Sequence, residues 1–347
     1  MKSRDTNEHR FFWDEDTTCQ SLFRIETELL EHHPNYVVRE KMKDYLLASS
    51  IHCEMRYGLE YLYLNGYFHE LSELIEKNRT VSSELNEQWA DVYDLLLFRY
   101  RTAPDPHYFL KQVDRIEPLE EDMAQLKTMM VIYGNATLRR YHYLGLYVEQ
   151  LRTYIQRMNN PFLKRLFQFR LDEILFNYHW KRNEVILARK HAYKLIYHSQ
   201  NTYKMAIFHN VLAYTYIFES YDQAMHHAHQ ALANAEYAMF DNIHKIVTHN
   251  TIPFIASVFE KPNGITTEDE GEQIHLMIAR GETVEASRRL REMSSLSPFK
   301  QYYLGKAEQN ADMLLTSYQR LIQEQSDYFF ARLPLLELEK IRSAQVN

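Results

Sequence analysis

Two stretches decide the fold. LDEILFNYHWKRNEVILARKHAYKL runs from Leu171 to Leu195, and IFHNVLAYTYIFESYDQAMHHAHQA from Ile207 to Ala231. At an offset of 36 residues, Leu171 falls on Ile207, Leu175 on Val211 and Tyr178 on Tyr214, then Val185 on Tyr221, Ala188 on Ala224 and Ala192 on Ala228. Within each stretch the apolar positions follow i, i+3/i+4, i+7, the stripe of an amphipathic helix. The centre of each is polar, Lys181-Arg182-Asn183-Glu184 and Glu219-Ser220, so each unit reads as helix, solvated turn, antiparallel helix. Ala188, Ala192, Ala224 and Ala228 lack a side chain beyond Cβ and let neighbouring helices approach closely. Tyr178 and Tyr214 are the large residues expected to fill the remaining space. A period near 34 residues with this small/large logic is that of a tetratricopeptide array.

Weaker copies flank the pair. Upstream, at offset 37, Gly134, Leu138, Tyr141, Val148, Leu151 and Ile155 repeat the pattern; downstream it recurs as Ile274, Met277, Val284, Ser287 and Leu290, with Gly281 at the turn. Before residue 120 the chain is helical but less regular, with Met42, Tyr45, Leu46 and Ser49, then Met55, Leu59, Leu62 and Tyr63, at helical spacing. Asn65-Gly66 reads as a turn, Pro106 as a helix start, Pro161 as a break, and Glu260 to Glu272 as the longest loop. The expectation is an all-α, degenerate tetratricopeptide-like solenoid, a right-handed superhelix. Residues 1–120 form an N-terminal helical region and 121–347 a C-terminal tetratricopeptide-like array.

Composition agrees. Gly and Pro make up about 5% of the 347 residues, against roughly 12% in ordinary proteins. Hairpins and phosphate loops consume glycine, so β folds and nucleotide-binding α/β folds are disfavoured. The net charge of −7 gives no general nucleic-acid footprint. Two cysteines, Cys19 and Cys53, are too few for a disulfide framework and read as free thiols of a reducing cytosol. The N-terminus, MKSRDTNEHRFFWDEDTT, carries acids where a signal peptide needs an apolar run, and no stretch is apolar enough to span a membrane.

The chain holds 17 histidines. His226 and His229 share a helix face at i, i+3, but no HExxH or matching carboxylate completes a metal site. No GxSxG, CxxC, GxGxxG or GxxxxGK[ST] occurs, so neither an enzyme nor a cofactor is expected. A stacked helical array instead offers a concave surface for a peptide or protein. On it, Asn177, Asn210 (at the repeat position of Ile174) and Asn250 are polar where the pattern is apolar. An asparagine amide donates to a backbone carbonyl and accepts from a backbone N–H, which suits an extended peptide.

With these residues in view, the sequence resembles the arbitrium-type peptide receptors (AimR) of Bacillus temperate phages. These belong to the wider group of quorum-sensing receptors with tetratricopeptide-like pockets. The match rests on SDYFFARLPLLELEKI (Ser326 to Ile341), REKMKDYLL (Arg39 to Leu47), Tyr216 to Phe218 and Tyr302 to Leu304. It spans about residues 10 to 341. The resemblance implies a cytoplasmic homodimer that binds a short linear oligopeptide. It places Asn177 on a peptide-bonding asparagine, Asp327 on an acid that pairs a peptide arginine, Glu272 on another acidic pocket position, and Asn250 and Asn310 on family asparagines. The family's peptide-holding arginine falls at Tyr203, where the adjacent Lys204 offers a point charge instead. Family members begin with a DNA-binding helix-turn-helix; here the sequence starts where that domain would end, so DNA binding by this chain is not expected. The implied function is peptide-dependent control of a lysis–lysogeny or related gene-expression switch. The alternative is an interaction scaffold acting on a protein partner without DNA.

Overall fold

The computed structural model of the chain describes residues 15–237 and 241–346. Residues 1–14 of the acidic N-terminal stretch therefore lie outside the described part. Every regular element among the described residues is helical. In order these are α1 (Glu15–His32), α2 (Asn35–Ala48), α3 (His52–Asn65), α4 (Phe68–Thr80), α5 (Glu84–Thr102), α6 (Pro106–Asp114), α7 (Glu121–Thr137), α8 (His142–Leu146), α9 (Val148–Arg157) and α10 (Pro161–Lys181). There follow α11 (Val185–His198), α12 (Thr202–Thr215), α13 (Tyr221–Tyr237), α14 (Asp241–Ile246), α15 (Ile252–Val258), α16 (Glu270–Ala279), α17 (Thr283–Arg291), α18 (Pro298–Ala307), α19 (Ala311–Gln325) and α20 (Arg332–Val346). The chain forms two compact units. One comprises the residues up to Ala103 with Leu119–Met123 and Thr153–Gln168; the other comprises Pro104–Pro118, Ala124–Arg152 and everything from Phe169 on.

The first unit is built around α3, which is buried along almost its whole length. Several buried polar groups there are paired, which offsets their desolvation. Glu54 accepts from Ser21, Tyr45 and Ser49 hydroxyls, and Arg56 donates to Asn86, which donates to Asn78. Gly66 ends α3 in the left-handed conformation (φ 81°), the turn expected at Asn65-Gly66. Cys53 is disulfide-bonded rather than the free thiol expected.

The second unit carries the repeat. α10/α11 and α12/α13 are the two helical pairs read from the sequence. Ala188, Ala192, Ala224, Ala228, Ala231 and Ala235 are all fully buried, the close-packing role expected of them. Tyr178 takes up space by lying against Gly145, where an added Cβ would come within 2.6 Å of its ring. Downstream, Gly281 (φ 86°) makes the turn between α16 and α17. The register of α17 differs from the expected stripe: Ala286 and Leu290 are buried, while Val284 is 86% exposed. Upstream, α7 stops at Thr137 instead of running on to Tyr141. Arg139 adopts φ 59°, and the Arg140 N–H closes back on the Asn135 carbonyl, a Schellman-type end that the helical period does not reveal. Pro106 and Pro161 each open a helix, α6 and α10. The expected loop from Glu260 is shorter than anticipated, because Asp269 accepts from the Glu272 N–H and starts α16 at Glu270.

Between α14 and α15, Val247–Thr251 wind as a π-helical turn, with the Ile252 N–H bonded to the Val247 carbonyl five residues back. Pro253 has no N–H for the His249 carbonyl, and that carbonyl accepts from the Thr267 hydroxyl at 2.5 Å instead.

Buried at the α12–α13 contact, His209 Nδ1 and His227 Nδ1 lie 3.0 Å apart, and His227 Nε2 is 3.2 Å from the Tyr193 hydroxyl. Burial pushes both imidazoles down to about 4. For His209 the charge of His226 adds to the shift, and for His227 those of His209, His226 and Arg189. Their neutral forms stabilise the fold fully above the ordinary value of about 6.5, and that contribution is lost as pH falls from there towards 4. Thermal melts should therefore show about 1–2 kcal/mol lost between pH 6.5 and 4.5 after discounting for residual solvent contact, and His209→Leu should flatten the profile. A second expectation concerns the alanines: Ala228→Leu should cost about 1–3 kcal/mol in denaturant unfolding, whereas Ile186→Ala, at a site 83% exposed, should change little.

Candidate functional site

Partly buried polar residues of the second unit lie on the first helices of the pairs. Phe169, Glu173 and Asn177 recur every four residues along α10, and Tyr203, Ile207, Asn210, Val211 and Tyr214 follow one face of α12; all are partly buried. Neighbouring elements are tied across this face. Lys204 of α12 pairs with the Glu173 carboxylate of α10, and its ammonium lies 5.6 Å from the Phe169 ring. The Thr251 hydroxyl donates to Asn210 Oδ1 at 2.7 Å and lies 3.1 Å from the Tyr214 hydroxyl. The π-helical turn thus carries Asn250 beside a side chain bonded to α12. π-helical turns concentrate at functional sites because they re-aim side chains within a helix.

The asparagines are differently engaged. Asn177 Nδ2 donates to the Glu173 carbonyl one turn back (2.9 Å), and its Oδ1 has no partner among the described residues. Asn210 uses its Oδ1 on Thr251, and its NH2 has no partner among them. Asn250 is half-buried in the π-helical turn. An acceptor on Asn177 and donors on Asn210 complement the N–H and C=O groups of an extended chain.

A buried aromatic cluster backs this face. Tyr214 stacks on Trp180 (5.9 Å between ring centroids) and meets Phe254 and Phe330 edge-on, in the offset and T-shaped geometries such rings prefer. Phe254 in turn meets His275, which stacks on Tyr303 at 4.2 Å. The Tyr303 hydroxyl donates to Glu272 Oε1 at 2.8 Å, and His275 Nδ1 lies 3.3 Å from Glu272 Oε2. Burial pushes the Glu272 carboxyl up to about 8, against the lowering effect of the Tyr303 hydrogen bond. Burial likewise holds His275 well below its ordinary value. At neutral pH Glu272 is therefore a protonated, hydrogen-bonding group rather than a free charge.

Asp327 sits at the opposite border of the cluster and is almost wholly buried. Its Oδ2 is 2.7 Å from Lys181 Nζ, and its Oδ1 accepts from the Phe330 N–H at 3.1 Å. Lys181, expected in a solvated turn, is itself 4% exposed. Asn310 lies apart from this group: it caps α19, its Oδ1 accepting from the Asp312 and Met313 N–H groups. Of the residues singled out from the sequence, the structure connects Asn177 and Lys204 through Glu173, and places Asn210, Glu272 and Asp327 on one aromatic network. Glu173, Lys181, Thr251, Tyr303 and His275 complete these links. Single-residue reading passes over them, since each gains its role from a partner distant in sequence. Among the described residues no group of three or more His, Cys, Asp or Glu is placed to hold a metal ion, and no helix is long and apolar enough to cross a membrane.

Comparison with known proteins follows the same lines. The family model described as AimR transcriptional regulator-like matches residues 38–340. The AimR transcriptional regulator of Bacillus phage SPbeta is 21% identical over 320 residues, covering 88% of this chain and 81% of its own. That of Bacillus phage phi3T is 22% identical over 305 residues, covering 82% and 77%. Among solved structures, the phAimR–ligand chain superposes with a TM-score of 0.71 at 19% identity, over 92% of this chain and 96% of that one, and shares the helical-repeat fold. With the family model spanning most of its length, this chain belongs to the AimR transcriptional regulator-like family.

Proposed function

We propose that this chain is an intracellular receptor for a short signalling peptide, and that the peptide changes its conformation or dimeric state to control a phage lysis–lysogeny or related gene-expression switch. The observation that carries the reading is the partly buried polar face of α10, α12 and the π-helical turn. There Asn177 and Asn210 keep unsatisfied amide atoms over a fully packed aromatic base. Main-chain-directed amides on rigid helices bind an extended chain without needing a particular side chain. The transcriptional-regulator names of the phage relatives support the downstream role. A peptide drives such a switch only through its differential affinity for two arrangements of the helices. The ties across the face, Lys204–Glu173 and Thr251–Asn210, are the contacts that a bound peptide re-sets.

Isothermal calorimetry of the full chain with pools of synthetic linear hexapeptides tests the reading. Asn177→Ala and Asn210→Ala should each weaken binding by about 1 kcal/mol, roughly fivefold. Asn310→Ala should lower thermal stability by a similar amount through loss of the α19 cap and leave affinity unchanged. Absence of heat with the wild-type protein would remove the receptor assignment. Sedimentation equilibrium should show a homodimer; a monomer at micromolar concentration would count against the dimeric form of the switch.

A further inference from the structure

Arg139 ends α7 in the left-handed conformation (φ 59°). That position suits glycine, so the turn itself does not call for an arginine side chain. The backbone on its C-terminal side is fixed: the Arg140 N–H bonds the Asn135 carbonyl at 2.9 Å, and the Tyr141 N–H bonds the Gln325 carbonyl at 3.1 Å. The Tyr141 ring centroid lies 4.3 Å from Lys181 Nζ, which is 3.6 Å from the centroid of Trp180, the ring that stacks on Tyr214. The segment carrying Arg139 therefore borders the aromatic base of the asparagine face. The Arg139 side chain is exposed, and its guanidinium has no ion-pair or hydrogen-bond partner among the described residues.

Its charge reaches the base of that face. Burial pushes the Tyr214 hydroxyl well above its ordinary value, and the Thr251 hydrogen bond lowers it; of the charged groups nearby, Glu272 and Asp269 raise it and Arg139 lowers it. Glu272 is protonated at neutral pH. Asp269 accepts from the Glu272 N–H through Oδ1 and has no ion-pair partner among the described residues. Two opposite charges, Arg139 and Asp269, thus act on one partly buried tyrosine. A carboxylate entering here is drawn to Arg139 and repelled by Asp269. Donors are in surplus beside it. Trp180 is 7% exposed, and its Nε1–H has no acceptor among the described residues, a state seldom left standing for a buried donor. The Asn210 NH2 is likewise unused.

We infer that Arg139 is the anion-binding residue of this site, and that its guanidinium takes a carboxylate of the ligand peptide as a charge-assisted, forked pair. This rests on the peptide-receptor reading above and adds to it the charge that the ligand must carry and the end of the face where that charge lies. The carboxylate belongs to the chain end or to an Asp or Glu side chain.

Calorimetry on the full chain distinguishes these sources with three sets of synthetic linear hexapeptides. The first lacks Asp and Glu and has free C-termini, the second is the same pool amidated, and the third is the amidated pool with Asp fixed at each position in turn. The wild-type protein should bind either the free pool or one Asp pool about tenfold more tightly than the plain amidated pool; the first result assigns the chain end and the second a side chain. Arg139→Gly should fold with a thermal midpoint little changed, since relief of the left-handed conformation offsets the added freedom of the unfolded chain, and it should lose the gain. Arg139→Lys keeps the charge without the fork and should retain part of it. Arg140→Ala should retain it in full. Wild-type affinities within about threefold across all sets overturn the inference, as does an Arg139→Gly protein that keeps the gain. If the wild type binds no pool at all, the receptor reading fails, and this inference with it.

Discussion

The close approach of helices across buried alanines is the constraint on which the second unit depends. Ala188 and Ala192 on α11, and Ala224, Ala228, Ala231 and Ala235 on α13, are fully buried. A methyl group in place of a longer side chain lets neighbouring helix axes come closer, and tight packing leaves little room for adjustment. Because the second helices of the pairs are held this closely, the orientation of α10 and α12 is set as well. That orientation turns Glu173 and Asn177 on one helix, and Lys204, Asn210 and Tyr214 on the next, toward the same half-exposed face. The candidate site follows from packing behind it.

Among the described residues of this unit, each buried carboxylate is either paired or held protonated. Asp327 has Lys181, Asp172 has His191 and Lys194, and Glu272 is kept protonated by its surroundings. Buried pairs of this kind contribute little net stability compared with an apolar replacement, but they fix geometry, since removing one partner is costly. Lys181 does this most clearly. Its side chain neutralises Asp327 while its carbonyl receives two N–H groups of the segment before α20, so a single residue fastens the end of α10 to a segment about 146 positions later in the chain.

Much of the architecture was legible along the chain because its signals are local. The 36-residue offset, the alanine spacing, Gly66, Gly281, Pro106 and Pro161 all act through backbone conformation or helical period, and each appears where the residues place it. Where the period is weak, local signals fix less. Val284 has the spacing of a core residue but faces solvent, since Ala286 and Leu290 suffice to pack the short α17. α7 ends early because Arg139 adopts a left-handed conformation, which a non-glycine residue does not announce.

The sequence by itself determined the helical class, the repeat, the candidate asparagines and the family resemblance, all of which are properties of spacing and composition. Only the tertiary structure decided what each polar side chain does. Asn210 meets Thr251 across 41 positions, Asp327 meets Lys181 across 146, and Asn310 turns inward on its own helix end. A polar residue's role is set by the partner that compensates its lost water. When that partner comes from another helix, folding has to bring the two together before either role exists.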